Sequence, residues 1–497
     1  MIKNQSSYRQ ILKATSLLSG VQVFSILISI AKSKFAAIFI GPAGIGIIGL
    51  LNSTLNLIIG FTKLGLDVSA VKEISVANEE TQPDKVVRVI NVLSRLTWIT
   101  GIFGAVITII LSSWLSKVAF GNTAYTFSFI FISIAVFFNQ LTVGNLAVLQ
   151  GLRKLNDLAK ATLWASFCSL LVIIPIYYYY GVKGIVPVII LTSIFTFIFS
   201  WYFTKKYKTK SKKIIILKLF GEGKQMMKLG FVLSLGSLAT LVTAYIVQVF
   251  ITNRGGINEV GFYNAAFIII NAYVGVIFNA MSKDYFPRLA SIANQSNKLK
   301  SVVNQQAFVA ILLLTPIIIV FLAFAPLLVN LLFTKAFSPI IGMLTFGILA
   351  TLFKAVSWSL GYILVAKGDS KLFIQTEIGF NMLLLSMSIL GYIYGGLTGV
   401  GISYLLYYII YLLGIKTITK RNYNFQFSLE FYKIFIACIV FCLSTFLLTF
   451  VENNYIKYGL MIIMIVSSCT FTIVKLNEKT DLISVLKKRL NKNNDKI

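Results

Sequence analysis

The chain of 497 residues is 57% hydrophobic and only 12% charged, and its mean hydropathy is +0.84. Soluble globular chains contain about 25% charged residues, so a soluble protein of this composition could not bury its apolar surface. The formal net charge of +29 is spread between apolar runs and forms no single basic face, which argues against nucleic acid as a partner.

Fourteen apolar runs follow one another along the chain, each long enough to supply the about 20 helical residues that cross a bilayer. The first run is too long for a signal peptide and lacks a small-residue cleavage site, so we interpret it as a retained helix. The sequence therefore predicts an all-α polytopic membrane protein. Spans 1 to 14 are predicted at residues 11–40, 44–63, 89–115, 123–148, 159–180, 184–204, 227–252, 262–281, 304–333, 340–366, 372–394, 396–415, 431–451 and 456–475.

Lysine and arginine are concentrated in alternate connections between these spans. One set of connections, together with both termini, holds 36 of the 45 basic residues, and the other set holds five. The remaining four, Lys32, Lys34, Arg95 and Lys354, lie inside the predicted spans. Because basic connections stay in the cytoplasm, both termini are predicted to be cytoplasmic.

The sequence lacks the residues and loops from which an enzyme site is built. It contains no histidine, and its four cysteines fall inside predicted spans, which leaves no disulfide framework and no ligand cluster. The connections on the side opposite to the termini are too short for a folded domain. We therefore expect neither catalysis nor a cofactor or metal.

The two halves of the chain resemble each other at an offset of 215 residues. Six spans separate the matched positions, so the duplication preserves orientation, as in transporters built from parallel repeats. We predict an N-terminal lobe at 1–213 with spans 1–6, a C-terminal lobe at 214–420 with spans 7–12, and two additional helices with a basic cytoplasmic tail at 421–497. The matched pairs are Lys13 with Lys228, Gly46 with Gly261, and Asn56 with Asn271.

Four short motifs carry a family resemblance. They are Gly-Pro-Ala-Gly-Ile-Gly at 41–46, Lys-Leu-Gly-Leu-Asp-Val-Ser-Ala-Val-Lys at 63–72, Glu-Val-Gly-Phe-Tyr-Asn-Ala-Ala at 259–266, and Tyr-Phe-Pro-Arg-Leu-Ala at 285–290. In order and spacing they resemble the polysaccharide-export flippases, specifically the lipid-linked O-antigen translocases. These belong to the multidrug/oligosaccharidyl-lipid/polysaccharide (MOP) superfamily, which also holds the multidrug and toxic compound extrusion (MATE) transporters. The resemblance covers spans 1 to 12.

The resemblance implies two six-helix lobes around a central cavity. Such a protein moves an undecaprenyl-pyrophosphate-linked oligosaccharide from the cytoplasmic to the periplasmic leaflet of the bacterial inner membrane by alternating access. It also implies polysaccharide polymerases as partners. The lysine-rich connection from Lys205 to Lys228 is predicted to lie on anionic membrane lipids.

Basic residues inside the spans are candidates for binding the pyrophosphate, because a lysine at the bilayer centre costs about 2.5–3.5 kcal/mol. Lys32 shares a polar stripe of span 1 with Gln22, whereas Lys34 lies on another face of the same helix. We expect Lys32 either to face the cavity or to snorkel to the outer interface, and Lys34 to snorkel.

Two further basic residues have open alternatives. Lys354 lies on a polar stripe of span 10, where it either faces the substrate or pairs with an acidic residue such as Glu377. Arg254, at the outer end of span 7, either receives the pyrophosphate or anchors its helix at the interface.

Four asparagines are candidates for contacts to sugar hydroxyls. Asn52 and Asn56 belong to span 2, and Asn264 and Asn271 belong to span 8. The alternative is structural, because amides and small residues also hold membrane helices together.

Coupling to protons or sodium would use carboxylates, and Asp67 and Glu377 are the two that approach the membrane in its cytoplasmic half. Each either carries the ion or pairs with a nearby lysine.

An alternative function, a cation-coupled small-molecule exporter of the same superfamily, would be expected to present carboxylates to its cargo. A polymerase or lipid-sugar glycosyltransferase would need a large outer loop. The four intramembrane basic residues favour the flippase.

Overall fold

The computed structural model describes residues 2–79, 83–207, 216–275, 278, 285 and 288–480. Side chains are described from Phe24 onward, except at 79, 83, 216–225, 228–229, 232–233, 272–273 and 479–480. Fifteen α-helices occupy most of these residues, and no β-strand occurs among them. The helices are α1 Ile2–Thr62, α2 Leu66–Glu79, α3 Pro83–Ile110, α4 Ser112–Phe120, α5 Thr126–Gly151, α6 Leu155–Tyr180, α7 Ile185–Thr204, α8 Ile216–Gly255, α9 Ile257–Phe267, α10 Ser296–Ala323, α11 Ala325–Leu332, α12 Ile341–Ala366, α13 Ser370–Tyr423, α14 Leu429–Leu448 and α15 Asn454–Thr480.

Ten helical stretches in the described part of the chain are long and apolar enough to cross a membrane. Three of them are too long for one crossing: 54 residues of helix, as in α13, extend about 81 Å, against a hydrocarbon core of about 30 Å. Phe24–Thr62, Leu155–Tyr207 and Ser370–Tyr423 each cover two predicted spans. The prediction of an all-α polytopic membrane protein is confirmed. Predicted span 8, at 262–281, extends beyond the described residues.

Glycines produce the breaks inside two of these long stretches. In α1, Gly41 has φ 62° and ψ −167° and precedes Pro42, which cannot continue a helical hydrogen-bond ladder. In α13, Gly396 has φ 55° and ψ −142°, again in the region that favours glycine. The Gly-Pro turn of the first motif therefore separates predicted spans 1 and 2.

The first compact unit comprises Met1–Ala265 and Leu331–Phe337. Helix α2 shows how its core forms: Leu66, Ala70 and Ile74 recur at four-residue spacing, are fully buried, and join a cluster with residues of α3 and α5. Within the same unit, Gly46 and Gly261 lie so close that a Cβ on either one would overlap the backbone of the other segment. These are the residues that the 215-residue repeat matches.

The second compact unit comprises Ala266–Asn330 and Ser338–Ile497. Helix α12 packs along α13, and α10 packs against α12, α14 and α15. Side-chain caps fix two helix starts, because Asp369 accepts a hydrogen bond from the backbone of Leu372 and Ser428 accepts one from Phe431. The lobe boundaries at residues 213 and 420 remain a prediction.

Candidate functional site

Lys354 lies at the middle of α12, as the fourteenth of its 26 residues. Its side chain is half-buried, and its Nζ donates to Asn271 Oδ1 at 3.0 Å and to the Tyr404 hydroxyl at 3.5 Å. Both partners belong to the second unit, as Lys354 does. The structure thus joins two residues that the sequence proposed separately, Lys354 and Asn271.

Two aromatic rings complete the surroundings of the Lys354 ammonium. Its Nζ lies 5.6 Å from the ring centroid of Phe278 and 5.5 Å from that of Tyr408, within the range of cation–π attraction. The amide, the hydroxyl and the rings are all neutral. Among the described residues, no carboxylate forms an ion pair with Lys354.

A π-helical turn at Ile268–Val274 positions Asn271. Its wide hydrogen-bond spacing continues at the following residue, where the Gly275 backbone N–H donates to the Ile270 carbonyl at 3.1 Å. A π-turn adds one residue to a helical turn and rotates the side chains that follow, and such turns are frequent at functional sites. The apolar run at 262–281 predicts a regular helix and gives no sign of this turn.

A row of four tyrosines on α13, absent from the predicted site residues, lies beside Lys354. Tyr404, Tyr407, Tyr408 and Tyr411 follow helical spacing, with the Tyr404 and Tyr408 hydroxyls 3.5 Å apart and the Tyr407 and Tyr411 rings stacked at 5.8 Å. The spacing i, i+3, i+4, i+7 in Tyr-Leu-Leu-Tyr-Tyr-Ile-Ile-Tyr would have revealed this face. The row adds phenol hydroxyls and ring faces beside Lys354.

Glu377 lies near this row, within electrostatic range of Tyr407 and Tyr411. In the described part of the protein its carboxylate forms no hydrogen bond or ion pair, and the lysine that we considered as its partner, Lys354, binds Asn271 and Tyr404 instead. Asp67, the other candidate for ion coupling, pairs with Lys63 at 2.7 Å, one helical turn away. Asp67 therefore adopts the ion-pair alternative.

Lys32 belongs to the first unit and lies on the inner side of α1. The side chain of Lys32 is half-buried. The exposed face of α1 lies elsewhere: Leu27 is 56% exposed and Ile38 is 51% exposed. At 100° per residue, these two lie about 140° and 120° around the helix from Lys32. Lys32 makes no hydrogen bond or ion pair with any residue that the structure describes. The side chain of Gln22, its predicted neighbour on the stripe, lies outside the described residues.

Lys34 reaches a backbone carbonyl at the end of another helix, and its snorkelling to the interface stays a prediction. Its Nζ donates to the backbone carbonyl of Phe333 at 2.5 Å, within the first unit. Phe333 directly follows the last residue of α11, where carbonyls lack helical partners and attract cations. The role of Lys34 in this structure is to cap a chain segment.

None of the remaining candidate site residues forms a hydrogen bond with Lys354 within the described chain. Asn264 packs into the notch at Gly49, where any added Cβ would overlap its amide, and this agrees with the structural alternative. Asn52 is half-buried and Asn56 is exposed, and neither forms a hydrogen bond within the described chain. Arg254 is exposed at the end of α8, 5.9 Å from the ring of Phe250, as expected of an interfacial anchor.

Comparisons with known proteins give one family and one fold. Residues 36–342 match a family model described as polysaccharide biosynthesis protein. A comparison with curated proteins gives no match. Among solved structures, the lipid II flippase MurJ in an inward closed conformation aligns with a TM-score of 0.69 at 12% identity, over 95% of this chain and 100% of that chain.

MATE transporters share the same fold. An inward-facing multidrug resistance MATE transporter of the MOP superfamily aligns with a TM-score of 0.65 at 15% identity, over 80% of this chain and 94% of that one. An outward-facing one gives 0.61 at 16% identity, over 83% and 96%. These neighbours are transporters and a flippase, not enzymes. Since the family match extends over more than half of its length, the chain belongs to the polysaccharide biosynthesis protein family, with the fold of the MOP superfamily.

Proposed function

We propose that this protein is a flippase that moves an undecaprenyl-pyrophosphate-linked oligosaccharide, an O-antigen or a related surface-polysaccharide unit, from the cytoplasmic to the periplasmic leaflet. The family match supports a role in polysaccharide biosynthesis, and the similar fold of the lipid II flippase MurJ supports a flippase. Translocation would proceed by alternating access.

The surroundings of Lys354 are the observation that carries this proposal. A lysine at the bilayer centre costs about 2.5–3.5 kcal/mol, and a carboxylate partner would offset that cost. Lys354 instead holds neutral partners, Asn271, Tyr404 and two rings, and so it keeps its positive charge available. A mobile anion such as pyrophosphate would complete this site, because charge-assisted hydrogen bonds are about twice as strong as neutral ones.

The sugar part of the substrate needs hydrogen-bond donors, acceptors and flat apolar surfaces. The tyrosines of α13 supply hydroxyls and rings next to Lys354. In the first unit, Lys32 is a second cation for the phosphates. The side-chain amides of Asn52 and Asn56 form no hydrogen bond within the described residues. We propose that Lys32, Asn52 and Asn56 contact the substrate at another stage of transport.

The proposed setting is the bacterial inner membrane, with both termini in the cytoplasm. Polymerases would receive the flipped unit on the periplasmic side. Lys205 lies over the exposed rings of Trp201 and Tyr202, which supports an interface with anionic lipids at the start of the lysine-rich connection. Reporters fused after Lys213 and after Lys488 are expected to read as cytoplasmic, and one at Gly256 as periplasmic. A cytoplasmic signal at Gly256 would contradict this topology.

The function is tested by reconstituting the full-length protein in vesicles with a lipid-pyrophosphate oligosaccharide and measuring its translocation. Lys354→Gln removes the charge and is expected to slow translocation about 10- to 100-fold, the usual worth of a hydrogen bond to a charged group. Lys354→Arg retains the charge and should recover part of the rate. Lys416→Gln is the matched control, because Lys416 lies near the end of α13 and its ammonium also packs over an aromatic ring, that of Tyr432. Full translocation by Lys354→Gln would refute the site.

A cation-coupled exporter is the second candidate, because MATE multidrug transporters share the fold. Its requirement is an accessible carboxylate, and Glu377 is the candidate that remains, since Asp67 is paired with Lys63. Drug efflux that is abolished by Glu377→Gln but unaffected by Lys354→Gln would favour the exporter. The opposite pattern, with loss of glycolipid transport in Lys354→Gln, favours the flippase.

A further inference from the structure

A cavity of about 610 Å³ opens within the second unit, and Lys354 is not among the residues that line it. It is lined by Arg288 together with the first half of α10, by the start of α14 and by the end of α15. Each adjoins a basic segment that the sequence assigns to the cytoplasmic side: the connection before α10, the connection before α14, and the C-terminal tail. The cavity is therefore expected at the cytoplasmic membrane interface.

Arg288 gives the cavity its positive charge. It belongs to the fourth family-like motif at 285–290, to which the translocation mechanism assigns no role. Tyr285 anchors this motif, since it is fully buried and its hydroxyl donates to the Ser359 carbonyl at 2.7 Å. The guanidinium of Arg288 makes no hydrogen bond or ion pair to the residues described, and its planar fork matches the oxygens of a phosphate.

Neutral hydrogen-bonding groups line another part of the cavity, beside apolar residues of α10 and α14. Ser301 accepts a hydrogen bond from Gln305 at 3.3 Å, which leaves its own hydroxyl hydrogen available. Asn304 holds the turn before α14 by accepting from the Ser428 backbone at 2.9 Å, so the positive end of the α14 dipole adjoins the cavity. A helix N-terminus favours an anion beside it, because its backbone N–H groups and its dipole both attract negative charge.

Gln306, also at the cavity wall, is 6% exposed, and its Nε2 has no acceptor within the described chain. This Nε2 is a donor, so an oxygen-rich ligand at the cavity wall would supply the acceptor that the group lacks. Glu430 lines the cavity as well and opposes anions. The formal charges of Arg288 and Glu430 cancel, so binding of a phosphate would depend on the fork of Arg288 together with the neutral donors.

We propose that this cavity binds the phosphate group of a lipid headgroup or of a small soluble phosphate ester, at a site separate from the translocation site. Its volume accommodates one phosphate with a short polyol. Helices α14 and α15 pack against α10 within the second unit, and such a ligand would link the three helices. This inference does not depend on the proposed flippase activity.

The test measures ligand retention and thermal protection of the full-length protein in detergent. Two probes distinguish the sources, dioleoyl phosphatidylglycerol and inorganic phosphate, and native mass spectrometry counts retained lipid. Arg288→Gln is expected to weaken binding of the effective probe roughly tenfold. Arg421→Gln, an exposed arginine at the end of α13 that does not line the cavity, is the matched control for the lost charge.

A second variant separates binding from folding. Gln306→Met removes a buried donor that lacks an acceptor, so the ligand-free protein should be as stable as the original or more stable, while protection by the ligand falls. Protection by phosphatidylglycerol alone identifies a lipid headgroup, and protection by inorganic phosphate as well identifies a soluble phosphate. Equal binding by Arg288→Gln and Arg421→Gln with both probes would overturn the proposal.

Discussion

Replacement of Gly46 by alanine tests the close approach of the repeat-related segments. The added Cβ would overlap the carbonyl oxygen of Ile257 and lie 3.1 Å from the backbone nitrogen of Gly261. Both obstacles are helical backbone, which cannot turn aside as a flexible side chain can. Small residues allow membrane helices to approach in this way, so the segments must separate in the variant.

The expected cost follows from this geometry. Overfilling a well-packed site costs about 1–3 kcal/mol, whereas alanine in an open helical position gains up to about 1 kcal/mol over glycine. Gly379 in α13 provides that open position, because nothing lies within 4 Å of an added Cβ. Gly46→Ala should therefore destabilise the protein, and Gly379→Ala should leave stability unchanged or raise it.

Thermal unfolding of the purified variants in one detergent, at one scan rate, measures the difference. Gly261→Ala would overlap the Pro42 carbonyl and should reproduce the effect of Gly46→Ala. The double variant should cost less than both single costs combined, since separating the two segments once relieves both overlaps. Equal transition temperatures for Gly46→Ala and Gly379→Ala would refute the close packing.

Three further outcomes follow from individual contacts. Asn271→Ala removes the carbonyl that holds Lys354 at 3.0 Å, and a reconstituted assay should show a loss of translocation smaller than that of Lys354→Gln. Lys34→Met removes the hydrogen bond to the Phe333 carbonyl and should lower stability by about 0.5–2 kcal/mol in thermal unfolding; an unchanged transition would contradict this capping role. Burial raises the pKa of Glu73 above its ordinary value of 4.5, with smaller opposing effects from two lysines. A carboxyl whose pKa is raised in the folded state contributes stability below its ordinary pKa, and the protein loses this stability as pH rises through the raised pKa. Glu73→Gln should therefore reduce the loss of folding stability with rising pH in a stability–pH profile.

The membrane fold could be predicted because its signals are local. Apolar runs of about 20 residues indicate membrane helices, and the Gly-Pro pair at 41–42 indicates where the first two spans separate. The repeat pointed to Gly46 and Gly261, and these residues do meet. The sequence could not show that Lys34 reaches the Phe333 carbonyl, because nearly three hundred residues separate them.

For the candidate site, the sequence determined which charges lie inside membrane helices and that few acidic residues accompany them. Lys354 and Asn271 could both be proposed from residue type and helical position alone. Only the tertiary structure decided that they meet and that Tyr404, Tyr408 and Phe278 surround the ammonium. It also decided that Asp67 forms an ion pair with Lys63. The physical reason is that hydropathy and helical period depend on neighbours within a few turns. The partner of a buried charge depends instead on how helices distant in sequence pack, and on a π-turn that rotates one of them.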